Sequence, residues 1–289
     1  MNTMINPAAY ELPDVILLPF VQGALAEDMG RKGDITSQAT IDAGKQGTLH
    51  VVSRRPGVIA GMALARLAFE QINPAIRFEV IQPDGAQVQP GERLATVSGD
   101  IRSLLAAERT ALNFLTHLSG IASLTAEMVK QVSHTSARIT CTRKTIPGLR
   151  VLQKYAVRVG GGWNHRMALD DAMLIKDNHI ALAGDLRSAI RLAQSHAGHL
   201  TPIELEVDTL EQLAIALEEG IKLVLLDNMD CDTLREAVAM CRGKAQTEAS
   251  GGITPESVRA VAETGVDYIA IGYLTHSAKA LDIGLDYEA

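Results

Sequence analysis

The sequence predicts an α/β protein of two parts, an N-terminal α/β sandwich followed by a β/α barrel. Three observations carry this prediction. From Ala137 onward, strand-like runs alternate with amphipathic helical patterns at a spacing of roughly 20–25 residues, as a βα repeat requires. Those runs are apolar throughout, the pattern of a parallel sheet covered on both faces. Polar chemistry then recurs where nearly every run ends: Arg143-Lys144, Lys176-Asp177-Asn178-His179, Glu206-Val207-Asp208, Asp227-Asn228, Glu248-Ala249-Ser250 and Gly272 with His276. A β/α barrel carries its active site at that face.

The chain has 289 residues, of which 47% are hydrophobic, enough for one large core or two ordinary ones. A net charge of −7 and an aromatic content of 3% argue against nucleic acid or an anionic membrane as partner. Cys141, Cys231 and Cys241 lack CxxC or Cys/His spacing, which argues against a disulfide framework or structural zinc. The start, MNTMINPAAYELPD, has no basic segment followed by an apolar one, and no later run has the ~18 apolar residues of a membrane span. The expectation is a soluble cytoplasmic protein.

In the first part, a helix spans about Leu18–Leu25, with Pro19 in its first turn. A strand follows at Thr48–Ser53, then the Arg54-Arg55-Pro56-Gly57 turn and a helix at Met62–Ile72. Ile76, Phe78 and Val80 alternate with Arg77 and Glu79 as a half-buried strand, and Pro83-Asp84-Gly85 and Pro90-Gly91 mark turns around short strands ending at Val97. The texture changes near residue 110. A helix from Ser103 to about His117 is interrupted at Ser119-Gly120, and a second runs from Ile121 to Val132.

The barrel strands are expected at Arg138–Thr142, Ala172–Ile175, Ile203–Val207, Leu223–Leu226, Ala245–Ala249 and Tyr268–Gly272. Helices lie between them at Leu186–Gln194, Leu210–Leu217, Leu234–Met240 and Pro255–Glu263. A further strand is either hidden near Val157-Arg158-Val159 or absent from an incomplete barrel.

Three groups of residues carry chemistry. Ser250-Gly251-Gly252 follows a strand, with Thr254-Pro255 read as the cap and first turn of a helix and Gly272 beyond. Glycines there let backbone N–H groups approach a phosphate. Arg143, Lys144, His165, Arg166 and Lys176 concentrate positive charge in a protein of net −7, which suits carboxylate or phosphate ligands. His165-Arg166 is approached through a flexible Gly160-Gly161-Gly162. Arg150, Lys154 and Arg158, at i, i+4 and i+8, read as one solvated helix face. Glu206 and Asp227 end neighbouring strands and face the cations. They suit sugar hydroxyls or a hydrated Mg²⁺ on a diphosphate, or pair with Lys144 or Lys176. Arg109, within Glu108-Arg109-Thr110, reads as a helix-face arginine. These residues describe a barrel enzyme for a phosphorylated sugar and a second polyanion, with the reaction unnamed.

Strings spread over nearly the whole chain resemble the quinolinate phosphoribosyltransferase family. They include Leu25-Ala26-Glu27-Asp28 with Gly33-Asp34-Ile35-Thr36, the Ala107–Asn113 helix and Leu118-Ser119-Gly120-Ile121-Ala122. Thr142-Arg143-Lys144-Thr145 with Pro147-Gly148, Gly160-Gly161-Gly162 with Asn164-His165-Arg166, and Leu174–His179 continue the match. Glu248–Ile253 and Leu274-Thr275-His276-Ser277 complete it. The resemblance implies an incomplete, about seven-stranded α/β barrel of the type II phosphoribosyltransferase kind over 113–276. The N-terminal sandwich would cover 1–112, with 277–289 returning to it. It implies a homodimer as the smallest active unit, open to higher assembly, and transfer of phosphoribose from phosphoribosyl pyrophosphate (PRPP) to quinolinate. The products are nicotinate mononucleotide, pyrophosphate and CO2, with Mg²⁺, in NAD biosynthesis.

By motif match, Arg109 (donated by the partner subunit), Thr142, Arg143, Lys144, His165, Arg166 and Lys176 surround quinolinate. PRPP meets Arg54 (also the partner's), Lys176, Glu206, Asp227, Ser250, Gly251, Gly252, Ile271, Gly272, Tyr273 and His276. Lys144, Lys176, Glu206 and Asp227 are the expected catalytic set, with Mg²⁺ near Glu206 and Asp227. Ala168, Asp170, Asp171, Cys141 and Tyr273 depart from the family pattern, Ala168 and Tyr273 as candidates to narrow the pocket. Two other readings stand beside this one: a family paralogue using another aromatic acid, and an inactive phosphosugar-binding regulator.

Overall fold

The computed structural model describes residues 11–287, and the chain divides into two compact units. Residues 1–10 and 288–289 lie outside the described residues, and with them most of the N-terminal segment and the last two residues of the expected 277–289 return. Unit 1 takes in the chain up to Ala126, Tyr155–Gly161 and everything from Ala278 onward. Unit 2 is Glu127–Lys154 with Gly162–Ser277.

Unit 1 begins with α1 (Asp14–Met29), α2 (Ile35–Thr40), β1 (Gln46–Ser53), β2 (Gly57–Val58) and α3 (Met62–Ile72). β3 (Arg77–Val80), β4 (Gln87–Val88), β5 (Arg93–Asp100) and the long α4 (Ile101–Val132) follow. The last described strand, β12 (Ile283–Tyr287), pairs with β1 in a four-stranded antiparallel sheet of order β12-β1-β5-β3, and β2 and β4 form a separate pair. Asp34 caps α2 through the N–H groups of Thr36 and Ser37, both at 3.0 Å. Asp84, at the Pro83–Gly85 turn, caps α3 from a distance, accepting from Gly61 N–H at 2.8 Å and Met62 N–H at 3.0 Å. The Tyr155 hydroxyl donates to the same carboxylate at 2.5 Å, and burial pushes the Asp84 pKa up.

Two expectations for this unit are corrected. Pro19 lies inside α1 rather than in its first turn, because the helix begins at Asp14. Ser119-Gly120 does not interrupt α4. Ser119 is buried and its hydroxyl donor and acceptor are spent on the Ala60 backbone, accepting from the N–H at 3.0 Å. A Cβ at Gly120 would lie 2.1 Å from the Lys279 carbonyl oxygen, so this glycine permits close backbone packing within a continuous helix.

Unit 2 contains β6 (Arg138–Thr140), the first half of α5 (Arg150–Val159), β7 (Met173–Ile175), α6 (Asp177–Ala183), α7 (Leu186–His196) and β8 (Ile203–Val207). α8 (Leu210–Glu218), β9 (Leu223–Asp227), α9 (Cys231–Cys241), β10 (Gln246–Ser250), α10 (Val258–Ala262), β11 (Tyr268–Ala270) and α11 (Tyr273–His276) complete it. Six parallel strands lie in the order β6-β11-β10-β9-β8-β7, each neighbour in sequence also a neighbour in space from β7 to β11. That single winding is the barrel order rather than the doubly wound one.

Side chains confirm the curl of the sheet. Thr140, Glu204 and Glu248, from the alternate strands β6, β8 and β10, approach one another in its interior, as the layers of a barrel do. A seventh strand survives only as a parallel bridge between Thr140 and Trp163. The segment Val157-Arg158-Val159, named as a hidden strand, is instead the end of α5.

Asp185, Thr209 and Asp230 accept from main-chain N–H groups to start α7, α8 and α9 promptly after their loops. Leu205, Val207, Leu226 and Ile269 of the strands and Leu213 and Ala237 of the helices are fully buried. Each large apolar side chain so buried contributes about 1.5–3 kcal/mol.

Candidate active site

Period-2 geometry decides which strand residues reach the barrel interior. In β8, Leu205 and Val207 are buried on one face, so Glu204 and Glu206 share the other. Glu206 lies near the C-terminal end of β8, where Lys176 Nζ, from the residue following β7, meets its carboxylate. The Lys176 N–H donates to His179 Nδ1 at 2.9 Å, which holds the entry to α6.

Asp227 ends β9, and its carboxylate accepts from Asn228 Nδ2 at 2.6 Å. Asn228 adopts φ of 53°, a left-handed backbone that asparagine tolerates, and its N–H donates to the Ser250 carbonyl at 2.9 Å. This ties the loop after β9 to the end of β10. Gly251, with φ of 97°, packs so tightly against it that a Cβ would lie 2.1 Å from Asn228 Oδ1.

The structure draws Lys144, Gly272 and His276 together: a Cβ at Gly272 would lie 3.0 Å from Lys144 Cδ and 3.3 Å from His276 Nε2. The Thr275 hydroxyl donates to the Lys144 carbonyl at 2.7 Å, and the Thr142 hydroxyl accepts from the Lys144 N–H at 3.0 Å. Tyr273 stands edge-on to His276 with ring centres 6.3 Å apart, and buried Ile271 donates its N–H to Thr140. One element is corrected. Thr254-Pro255 opens a turn, in which Ser257 and Val258 bond back to Thr254, and α10 starts only at Val258. The loop expected to receive a phosphate is therefore built on the left-handed Gly251 and Gly252, and no helix N-terminus stands at Thr254-Pro255.

Arg143 and Arg166 are the paired cations. Arg143 Nε is buried without a hydrogen-bond partner, an orphan donor that a bound anion would satisfy. Arg166 Nη1 donates to the Ala172 carbonyl at 2.9 Å, and burial together with the neighbouring charge of Arg143 lowers its pKa.

His165 is engaged at both ring nitrogens. Nδ1 accepts from the Arg166 N–H at 2.7 Å, and Nε2 lies 2.8 Å from Glu204 and 3.5 Å from Glu248. Burial works to lower the pKa of this ring, but the bond to Glu204 and the two carboxylate charges outweigh it and raise it. Glu248 is itself pushed up to about 8, first by burial and then by the charge of Glu204. These groups titrate as one cluster.

Two positions named as mundane are not. Lys154, expected on a solvated face, is fully buried, and its Nζ donates to the His165 carbonyl at 2.6 Å and the Arg166 carbonyl at 2.8 Å. Gly160, expected as a flexible approach, is tightly packed: a Cβ there would lie 2.4 Å from the Ala122 carbonyl oxygen. Among the departures from the family pattern, Asp171 accepts from the Met167 N–H at 2.7 Å and closes the turn around Ala168 and Asp170. The buried Cys141 thiol donates to Asn164 at 3.3 Å, and burial raises its pKa, which removes it as a nucleophile.

Glu204 was the signal missed in the sequence, and Glu248, read there as a polar strand end, is its buried neighbour. The alternation Ile203-Glu204-Leu205-Glu206-Val207 already places Glu204 on the face of Glu206. A cavity of about 370 Å³ is lined by Thr140, His165, Arg166, Glu204 and Glu248 and by Leu223, Gln246 and Tyr268 at the starts of β9, β10 and β11.

Two groups offer metal ligands. The carboxylates of Glu206 and Asp227, hard oxygen donors at the ends of adjacent strands, fit Mg²⁺. Ligand atoms of His165, Glu204 and Glu248 also lie within 4.8 Å of one another. There, however, Glu204 is already engaged by His165 at 2.8 Å, and the charges of Lys154 and Arg166 act on the same carboxyls. Arg54 and Arg109 belong to unit 1: Arg54 pairs with Asp286, while Arg109 is 63% exposed beside Glu108.

The sequence matches the quinolinate phosphoribosyl transferase N-terminal domain over residues 34–119 and the C-terminal domain of the same family over 121–286. The chain belongs to the quinolinate phosphoribosyltransferase family. It is 48% identical over 271 residues to nicotinate-nucleotide pyrophosphorylase [carboxylating] of Mycobacterium leprae, covering 92% of this chain and 95% of that one. A probable enzyme of the same name from Bacillus subtilis is 43% identical, covering 90% and 89% of the two chains. The solved nicotinate-nucleotide pyrophosphorylase of Francisella tularensis superposes with a TM-score of 0.92 at 38% identity, covering 96% of this chain and 98% of that one. The rim of this family member is thus the C-terminal end of its parallel strands. Among the described residues, no helix is long and apolar enough to cross a membrane.

Proposed function

We propose that this chain joins quinolinate to PRPP, forming nicotinate mononucleotide, pyrophosphate and CO2 as a step of NAD biosynthesis. The observation that supports it best is the placement of Arg143 and Lys144 after β6 and of Lys176 after β7, with Arg166 near enough to Arg143 to feel its charge and Arg143 Nε buried and unpartnered. A planar dicarboxylic acid supplies the charge that such a set lacks.

In this reading, Arg143 and Arg166 hold the two carboxylates in bidentate fashion, with Thr142 and Lys144 beside them. His165 supports that pocket from below, through its bonds to Glu204 and to the Arg166 N–H. Ser250, Gly251, Gly252, Ile271, Gly272, Tyr273 and His276 receive the 5′-phosphate. Glu206 and Asp227 take the ribose hydroxyls and would hold Mg²⁺, which when bound offsets the charge of pyrophosphate. Lys176 leaves Glu206 to meet the departing pyrophosphate, so the ion pair seen here is its resting partner.

Loss of pyrophosphate develops positive charge at C1′, where the pyridine nitrogen attacks. The nitrogen becomes cationic and then stabilises the carbanion left when CO2 departs, and that ring carbon takes a proton from solvent to give the product. The side chains orient the reactants and supply electrostatics, with no covalent enzyme intermediate. Arg54 and Arg109 complete the site from a partner subunit in a cytoplasmic homodimer. The test is release of CO2 from carboxyl-labelled quinolinate. Release that depends on both PRPP and Mg²⁺ is expected, and no release at saturating levels of both overturns the reading.

A further inference from the structure

We propose that Lys154 is a positioning residue for quinolinate, a role that rests on the function above. Three consecutive main-chain carbonyls, those of His165, Arg166 and Met167, are held by two cations one turn apart on α5. Lys154 Nζ takes the first two at 2.6 and 2.8 Å, and Arg150 Nη1 takes the third at 3.2 Å. The opposite side of the same turn is fixed by His165 on Glu204 and by the Met167 N–H on Asp171.

Burying an ammonium completely is costly, and an apolar side chain of similar volume would fill the same space more cheaply. The partners of Lys154 here are two peptide carbonyls and the Cys141 side chain, and both carbonyls belong to residues that carry candidate substrate ligands. What the buried charge secures is therefore the aim of one short turn. Removing Nζ leaves two carbonyls unpaired, and the turn relaxes toward other partners. The guanidinium of Arg166 then leaves the place it shares with Arg143. The phosphate cradle, built on β9, β10 and α11, makes no use of Lys154 and keeps its shape.

The experiment is steady-state kinetics of the full-length chain with each substrate varied, comparing wild type, Lys154→Met and Lys154→Gln. Lys154→Met is expected to raise the quinolinate KM by about 10–100-fold, the scale of an ångström-sized misplacement, while the PRPP KM stays within about twofold. Lys154→Gln, which keeps an N–H donor, recovers part of the loss. An unchanged quinolinate KM, or equal rises for both substrates, overturns the proposal. Failure of both variants to fold assigns Lys154 to stability alone and also overturns it. Wild-type turnover is read in the same experiment: its absence defeats the function, whereas its presence with an indifferent Lys154→Met defeats only this inference.

Discussion

Glu204 and Glu206 lie two residues apart on one face of β8, yet they serve opposite ends of the design. Glu204 faces His165 and Glu248 in a layer whose polar groups are mostly consumed by one another. Glu206 faces Lys176, a residue at the rim whose side chain is 43% exposed and free to change partners. The same chemical group, moved by about 6–7 Å along a strand, passes from scaffold to site. The difference teaches that on β8 the inward residue nearest the strand end meets an exposed cation, while the one before it is held within its own layer.

The most drastic way to break that contrast is at the orphan donor. Arg143→Ala should weaken quinolinate binding by about 2–5 kcal/mol, because it leaves a substrate carboxylate unpaired in a desolvated pocket. Calorimetry on the folded variant measures this, and retained affinity would remove Arg143 from the site. The next sharpening is a paired comparison of the two glutamates. Glu206→Gln should lower kcat/KM for PRPP by about a hundredfold at unchanged thermal stability, the scale of one lost electrostatic contact to the transition state. Glu204→Gln should cost about 1–3 kcal/mol of stability, read as a lower unfolding midpoint. Reversed effects would mean that the layers have been assigned upside down.

Much of this was legible in the sequence because strands ending in charge announce a barrel mouth. The placement of Lys176, Glu206, Asp227 and Ser250 at or beside strand ends was read from that alone. The committed layer was not, since a buried Glu248 or Lys154 looks on paper like any other charged residue. Its burial is a property of what packs around it: Lys154 sits in a basic i, i+4 series indistinguishable from a solvated face. The continuity of α4 was hidden for the same reason. Gly120 breaks isolated helices, but here it admits the backbone at Lys279, a contact 159 residues away in sequence and so invisible locally. Asn228 was adjacent to a chosen residue, and only its left-handed backbone reveals why it is there.

A smaller effect separates the layers by pH. Burial and the charge of Glu204 push the Glu248 carboxyl up to about 8 in the folded chain, from 4.5 ordinarily, in a cluster whose His165 is raised as well. The folded state therefore binds more protons than the unfolded one between those values. The stability contributed is complete below about 4.5, declines as pH rises, and is gone above about 8, with a slope of at most ~1.4 kcal/mol per pH unit. Chemical denaturation across that range should show the decline in wild type and a shallower one in Glu248→Gln, where His165 alone keeps a raised pKa. An undiminished slope after the substitution would place the proton elsewhere in the cluster.

The most direct measurement compares quinolinate with nicotinate as phosphoribosyl acceptor at equal concentration. A mouth that gathers four cations for two carboxylates predicts turnover with quinolinate and at least a hundredfold less with the monoacid, which leaves one arginine unanswered. Equal turnover with the two acids would contradict the claim that this rim is built around a doubly charged ring.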